Sequence, residues 1–301
     1  MRNVLVTGGT NFVSRYVAEY FVRLGDRVFV LNRGSKEQSQ GVIHIKGDRS
    51  NLGDLLKGYS FDAVLDVTAY TEEDVCNLLD ALGDFTDYIL ISSSAVYPDT
   101  LPMPFSELSP VGQNRVWGAY GTNKIKAEEA LLQRVPEAYI LRPPYLYGPM
   151  QNLYREPFVF DCAEKDRPFV LPSKGKMNLQ FFHVEDLCRF MNILLEKKPQ
   201  NRIYNVGNSA PLSIKEWVKL CYEVTGKTPV FADADKKHSV RSYFCFYDYE
   251  YCLDVSRMSE LMSDTKPLAE GLSEEYDYYK THKDEMERKP YIQYIDKEIL
   301  K

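Results

Sequence analysis

The chain has 301 residues, 44% of them hydrophobic, which suits one large α/β domain with a satellite lobe, or two modest domains, and excludes a disordered chain. Its 37 Lys and Arg against 43 Asp and Glu leave a net charge of −6, the wrong balance for RNA or DNA as the main partner. No apolar run reaches the ~18 residues of a membrane span, and Met1–Gly9 has no signal-peptide pattern, so the expectation is a cytoplasmic protein with no membrane partner.

Short apolar runs alternate with helical spacing through the first half. Strands are predicted at Asn3–Thr7, Arg27–Leu31, Val42–Ile45, Ala63–Val67, Tyr88–Ile91 and Tyr139–Leu141, with helices at Tyr16–Leu24 and Glu72–Leu82. This alternation predicts an α/β fold of Rossmann type, a doubly wound parallel sheet with right-handed crossovers. Beyond about residue 145 the pattern loosens. Pro149–Lys176 reads as loop-rich, Val184–Leu195 and Ile214–Val224 as helices, Arg202–Val206 as a strand, and the remainder as rich in Tyr and charge. The organisation expected is a dinucleotide-binding domain over 1–148, rejoined by 181–207, and a smaller interleaved C-terminal substrate lobe from 149–180 and 208–301. The six cysteines (76, 162, 188, 221, 245 and 252) form no C-x-x-C pair and do not cluster with the four histidines, so reduced thiols and no metal are expected.

The turn from Thr7 to Ser14 lies between a strand and a helix, where a dinucleotide pyrophosphate meets free backbone N–H groups and the positive end of a helix dipole. A three-glycine spacing G-x-x-G-x-x-G reads here as Gly8, Asn11, Ser14. Asn11 is expected to take a positive φ, which Asn tolerates better than most residues. Ser14 is small enough for close helix packing and brings a hydroxyl. The second strand ends at Asn32-Arg33, where Asn32 can reach a ribose hydroxyl and Arg33 a 2′-phosphate. The cofactor expected is therefore NAD or NADP, with a lean to NADP. Asp48, after the third strand, is placed to accept from an adenine amino group, or is a simple turn residue.

Tyr120-Gly-Thr-Asn-Lys124 gives Y-x-x-x-K on one helix face. An ammonium below a phenol favours phenolate and lowers the phenol towards the range useful for acid/base work. Upstream, a strand runs into Ser92-Ser93-Ser94, where Ser93 can orient a substrate oxygen against Tyr120; helix capping or turn formation is the alternative for these serines.

Taken together these residues resemble the extended (atypical) short-chain dehydrogenase/reductase family, the NAD-dependent epimerases and dehydratases. The resemblance covers about residues 1–280. It rests on Ser92–Tyr97, Tyr120 and Lys124 with Glu128, Leu141-Arg142-Pro143 with Tyr147-Gly148-Pro149, His183–Asp186, and Tyr204–Gly207, all in family order. It implies Ser93, Tyr120 and Lys124 as catalytic residues. It implies cofactor contacts from Gly8, Asn11, Phe12, Val13, Arg33, Asp48, Ala69 and Lys124, with Pro143 and Pro144 near the nicotinamide. It further implies hydride transfer from a sugar carbon, and a homodimer through two helices flanking the sheet.

Two positions depart from the sugar-nucleotide pattern. Tyr145 stands where an Asn is usual, and Leu179 where an Arg is usual; both usual residues hold a nucleotide diphosphate in the family. Arg241 either compensates or is a surface residue. Ser94, Tyr145, Leu179 and Arg241 are thus the substrate-side candidates. Gly8–Phe12, Thr68–Tyr70, Leu179–Val184 and the aromatic run Phe244–Tyr251 are similar to a branch containing chloroplast stem-loop-binding proteins and bacterial relatives, some linked to RNA. Three readings follow: an NAD(P)-dependent epimerase, dehydratase or reductase of a sugar or nucleotide sugar; a non-catalytic RNA-associated or cofactor-sensing protein; and a reductase of a non-sugar carbonyl.

Overall fold

The computed structural model describes residues 1–235 and 237–300. Its strands are β1 Asn3–Thr7, β2 Arg27–Asn32, β3 Ile43–Lys46, β4 Leu56–Asp66, β5 Leu82–Ile91, β6 Tyr139–Arg142, β7 Tyr145–Tyr147, β8 Phe169–Leu171, β9 Asn178–Leu179, β10 Phe181–His183, β11 Ile203–Asn205, β12 Leu212–Ser213 and β13 Phe231–Asp233. The helices are α1 Phe12–Arg23, α2 Glu72–Ala81, α3 Ala119–Arg134, α4 Glu156–Glu164, α5 Val184–Lys197, α6 Ile214–Glu223, α7 Val240–Tyr243, α8 Ser256–Ser259, α9 Leu268–Thr281 and α10 Tyr291–Tyr294.

Seven strands form one parallel sheet in the order β11-β6-β5-β4-β1-β2-β3. Parallel strands buried on both faces need apolar residues at successive positions, and the strand period of two sorts them between faces. Val4, Val6, Val28, Val30, Ala63, Leu65, Ile89 and Ile91 face α1 and α5. Leu5, Phe29, Leu31, Val64, Tyr88, Leu90 and Ile140 face α2 and α3. The chain order reverses between β1 and β4, so a crevice opens at their carboxyl ends, the place where open α/β sheets bind ligands.

The lobe has its own core. Pairs β7–β10, β9–β12 and β8–β13 pack with α4, α6 and α9 around Trp217, Phe181, Phe244 and Phe246. Two helices here differ from the sequence expectation. In α4 every residue but the last is buried, so no amphipathic stripe marks it. The buried positions of α9 include Gly271 and Glu275, which read as polar or breaking in a sequence. The lobe boundary also differs: Tyr251, Leu253, Val255, Met258 and Met262 return to the α1/α5 side of the sheet core, with Phe105 and Cys252 bonded across the join. The six cysteines are free thiols, four of them buried.

Candidate active site

The turn after β1 is shaped by its two glycines. Gly8 and Gly9 have φ of +92° and +86°. A Cβ on Gly8 would sit 2.8 Å from Ser14 Oγ and Thr68 Cγ2, and one on Gly9 would sit 2.6 Å from Val30 Cγ1. Asn11 does not take the positive φ expected of it. It is extended at −133°, and Phe12, the first residue of α1, carries +24° instead. The reason is local: Asn11 serves as the helix N-cap, a position that requires extended backbone. Its amide oxygen is held by Lys36 Nζ at 2.5 Å rather than capping α1. With no side-chain cap and no acid in its first turn, α1 presents free N–H groups beside a lysine. That arrangement fits a pyrophosphate. Ser14 is buried, as its packing role requires, and its hydroxyl donates to the Asn11 carbonyl at 2.9 Å.

Beyond β2 and β3 a cavity of about 270 Å³ is lined by Asn32, Arg33, Asp48 and Arg49 among others. The Asn32 amide is committed inside the protein. It donates to the Gly8 carbonyl at 2.6 Å and to Gln38 at 2.9 Å, and accepts from Gly34 N–H at 2.9 Å. Arg33 is exposed. Asp48 accepts from the backbone and hydroxyl of Ser50, and these bonds, with Arg33 nearby, hold its carboxyl below the usual range.

The main crevice, about 540 Å³, runs from this turn over the sheet to the lobe. Phe12, Val13, Ser93, Ser94, Tyr120, Lys124, Pro143, Pro144 and Tyr145 all line it. Lys124 is 2% exposed and donates to the carbonyls of Ala69 (2.7 Å) and Ile91 (2.8 Å), so Ala69 enters the site through its backbone. Burial brings the Lys124 ammonium down to about 8, against the pull of Asp66 and Glu128. Tyr120 is 39% exposed, between Trp117 and Tyr70. Its phenol is raised, not lowered: the burial of its hydroxyl end outweighs the stabilising contact from Ser93, while the Lys124 ammonium is turned onto the two carbonyls.

Two buried networks fix this crevice. Arg49, which no sequence motif marks, holds Asp66 with both terminal nitrogens at 2.6 Å; Thr7 and Tyr88 donate to the same carboxylate at 2.8 and 2.6 Å. Thr7 Oγ1 in turn accepts from the N–H groups of Val67 and Thr68. On the other flank Ser92 donates to Glu128, Glu128 pairs with Arg142 at 2.5 Å, Arg142 reaches Tyr97, and Tyr97 donates to Asn205. Glu128, Arg142 and Asn205 are thus the frame beneath Ser93 and Tyr120.

The substrate side departs further from expectation. Tyr145 faces the crevice within a ring cluster with Phe246 (4.5 Å) and Tyr251 (5.5 Å). Leu179 does not face it: β9 lies in the lobe core and Leu179 is 1% exposed there. Arg241 lies on α7 beside a different cavity, its guanidinium donating to the carbonyls of Phe244 and Cys245 and covering the Tyr247 ring. The cation that does line the crevice is Arg155, which stands alone in a segment without pattern and so carried no sequence signal. His183, Glu185 and Glu274 converge within 4.8 Å, but Lys266 Nζ sits 2.5 Å from each carboxylate, so an ammonium already supplies the positive charge.

A doubly wound parallel sheet with a serine, a Y-x-x-x-K pair and an uncapped helix N-terminus on one crevice defines a dinucleotide-dependent enzyme class. The NAD dependent epimerase/dehydratase family model matches residues 4–207, and the chain belongs to that family. It is 26% identical to the chloroplast stem-loop binding protein of 41 kDa b of Arabidopsis thaliana, over 91% of this chain and 78% of that protein. Among solved structures it is similar to UDP-glucose 4-epimerase of Thermotoga maritima with UDP-glucose (TM-score 0.76, 20% identity, 93% of this chain and 99% of that one). It is also similar to dTDP-glucose 4,6-dehydratase of Bacillus anthracis in complex with NAD (TM-score 0.75, 17% identity, 95% and 99%). These comparisons lend no support to the lean towards NADP. Among the described residues no helix is long and apolar enough to cross a membrane.

Proposed function

We propose that this protein is an NAD-dependent epimerase, dehydratase or reductase acting on a sugar derivative by hydride transfer, with Tyr120 as acid and base. The observation that carries the reading is the meeting of Ser93, Tyr120 and Lys124 in one crevice with the uncapped N-terminus of α1. A nicotinamide dinucleotide bound along it supplies the hydride acceptor and donor. Gly8, Gly9 and the first N–H groups of α1 would hold its phosphates, and Pro143 and Pro144 line the same crevice. Ser93 orients the reacting oxygen of the substrate. The phenol of Tyr120, raised by desolvation of its hydroxyl end, is protonated at neutral pH and is the donor to a carbonyl oxygen; in the reverse direction its phenolate removes the hydroxyl proton. Lys124, locked on the Ala69 and Ile91 carbonyls, keeps a positive charge in the crevice at pH values below about 8.

NAD is the cofactor this reading favours. Asp48 shares the small cavity with Arg33, so Arg33 is already set against a carboxylate and a 2′-phosphate there would meet like charge. Tyr120→Phe is expected to lower turnover by ~10²–10⁴-fold while dinucleotide affinity, read by calorimetry, is retained. Unchanged turnover overturns the assignment of Tyr120.

A further inference from the structure

The crevice contains one charge that the hydride chemistry does not use. Among its lining residues only Lys124 and Arg155 are charged, and Lys124 is taken up by the Ala69 and Ile91 carbonyls. Arg155 precedes α4, and its side chain is 12% exposed. Its guanidinium lies 5.7 Å from the ring centres of both Tyr145 and Phe246, and one terminal nitrogen donates to the Leu146 carbonyl. Nε is buried and has no hydrogen-bond partner; the buried Tyr145 hydroxyl, beside the same guanidinium, has none either. A guanidinium carries five donors in a planar fork, and leaving a buried one unmet costs about 1–3 kcal/mol. The nearest carboxylate, Glu156 Oε2, is 3.5 Å from Nε. Glu275 lies nearby, its carboxyl raised well above the usual range by burial first and by Glu156 second. Arg155 therefore answers to one carboxylate at its back and to the open crevice at its front.

We infer that Arg155 and the Tyr145 hydroxyl form a recognition site for a single anionic group on the substrate, a carboxylate or a phosphate monoester. The inference rests on the sugar reading above and narrows it to an anionic sugar rather than a nucleotide-diphosphate sugar. A diphosphate carries more charge than one guanidinium offsets, and the other candidate cations are elsewhere. Arg241 is bonded to carbonyls at a separate cavity, and the position of Leu179 is inside the lobe core. A planar fork against an aromatic wall matches a two-oxygen acceptor.

The test titrates the NAD-saturated protein with glucose, glucuronate, glucose 6-phosphate and UDP-glucose, following tryptophan fluorescence. Trp117 lines the crevice, whereas Trp217 is fully buried in the lobe. Glucuronate or glucose 6-phosphate is expected to bind at least ~10-fold more tightly than glucose, as a charged hydrogen bond implies. Which of the two binds more tightly tells carboxylate from phosphate. Arg155→Gln is expected to erase the preference, Arg155→Lys to keep part of it, and Arg241→Gln to keep all of it. UDP-glucose binding ~10-fold more tightly than glucose 6-phosphate overturns the inference and leaves the sugar reading standing. So does a preference that survives in an Arg155→Gln protein, or one absent from the wild type. Binding of none of the four overturns the sugar reading as well.

Discussion

Buried charge is handled in opposite ways on the two sides of the crevice. On the sheet side Asp66 is wholly buried yet fully engaged, by Arg49, Thr7 and Tyr88, and Glu128 is likewise taken up by Arg142 and Ser92. On the lobe side Glu156 Oε1, Glu275 Oε1, Arg155 Nε, and the hydroxyls of Tyr145 and Tyr147 are buried without partners. A closed network is rigid, and the sheet side must hold Ser93, Tyr120 and Lys124 in fixed geometry. Open valences are costly unless a ligand or proton fills them. The sheet side of the crevice is therefore the closed frame, and the lobe side keeps open valences, of which Arg155 and Tyr145 line the crevice.

The contrast is broken most severely by Asp66→Ala. It leaves Arg49 buried without its charge partner and should cost about 3–5 kcal/mol of stability, measured by chemical unfolding. A loss below about 1 kcal/mol would mean that this network is not a structural frame. The matching change on the lobe side, Glu275→Gln, should cost under about 1 kcal/mol at neutral pH, since an amide replaces a carboxyl whose ionisation burial and Glu156 oppose.

The two carboxyls also differ in the sign of their pH dependence. Burial opposes ionisation of Asp66, but Arg49, Tyr88 and Thr7 hold it below its usual range. Its contribution is present above the unfolded value of about 3.9 and is lost as pH falls through the folded one. Glu275 is raised, by burial first and by Glu156 second. Its folded state binds the extra proton, so stability falls as pH rises from the unfolded value of about 4.3 towards the folded one. Unfolding curves measured at increasing pH above about 4.3 should lose this downward slope in Glu275→Gln. A slope unchanged in the variant would refute the proton held at Glu275.

The smallest expected effect lies at the rim. Asp48→Asn removes the like charge that faces a 2′-phosphate and leaves Arg33 free, so the ratio of NADP to NAD affinity should rise severalfold, read by calorimetry with both dinucleotides. An unchanged ratio would remove Asp48 from cofactor selection.

The sheet was legible in the sequence because each of its strands is a short run of apolar residues, and both faces of a parallel sheet demand that. The site was legible where a residue type is demanded by chemistry at fixed spacing: Gly8 in the turn, Ser93 after β5, Tyr120 and Lys124 one helical turn apart. The lobe was less so. Residues of α4 are buried on all sides and those of α9 put Gly271 and Glu275 inward, so neither shows the periodicity of a half-buried helix. Leu179 was assigned a ligand-facing position by its place in a motif, but strand pairing of β9 with β12 carries it into the core.

The sequence by itself determined the sheet, the glycine turn after β1 and the sharing of one helix face by Tyr120 and Lys124, because local periodicity and fixed i, i+4 spacing are properties of the chain alone. Only the tertiary structure decided which of the two arginines lines the crevice. Arg155 and Arg241 are alike in a sequence. The fold turns one over the Tyr145 ring with a buried nitrogen unmet and bonds the other to carbonyls at a separate cavity, a difference in desolvation and partners that no residue type carries with it.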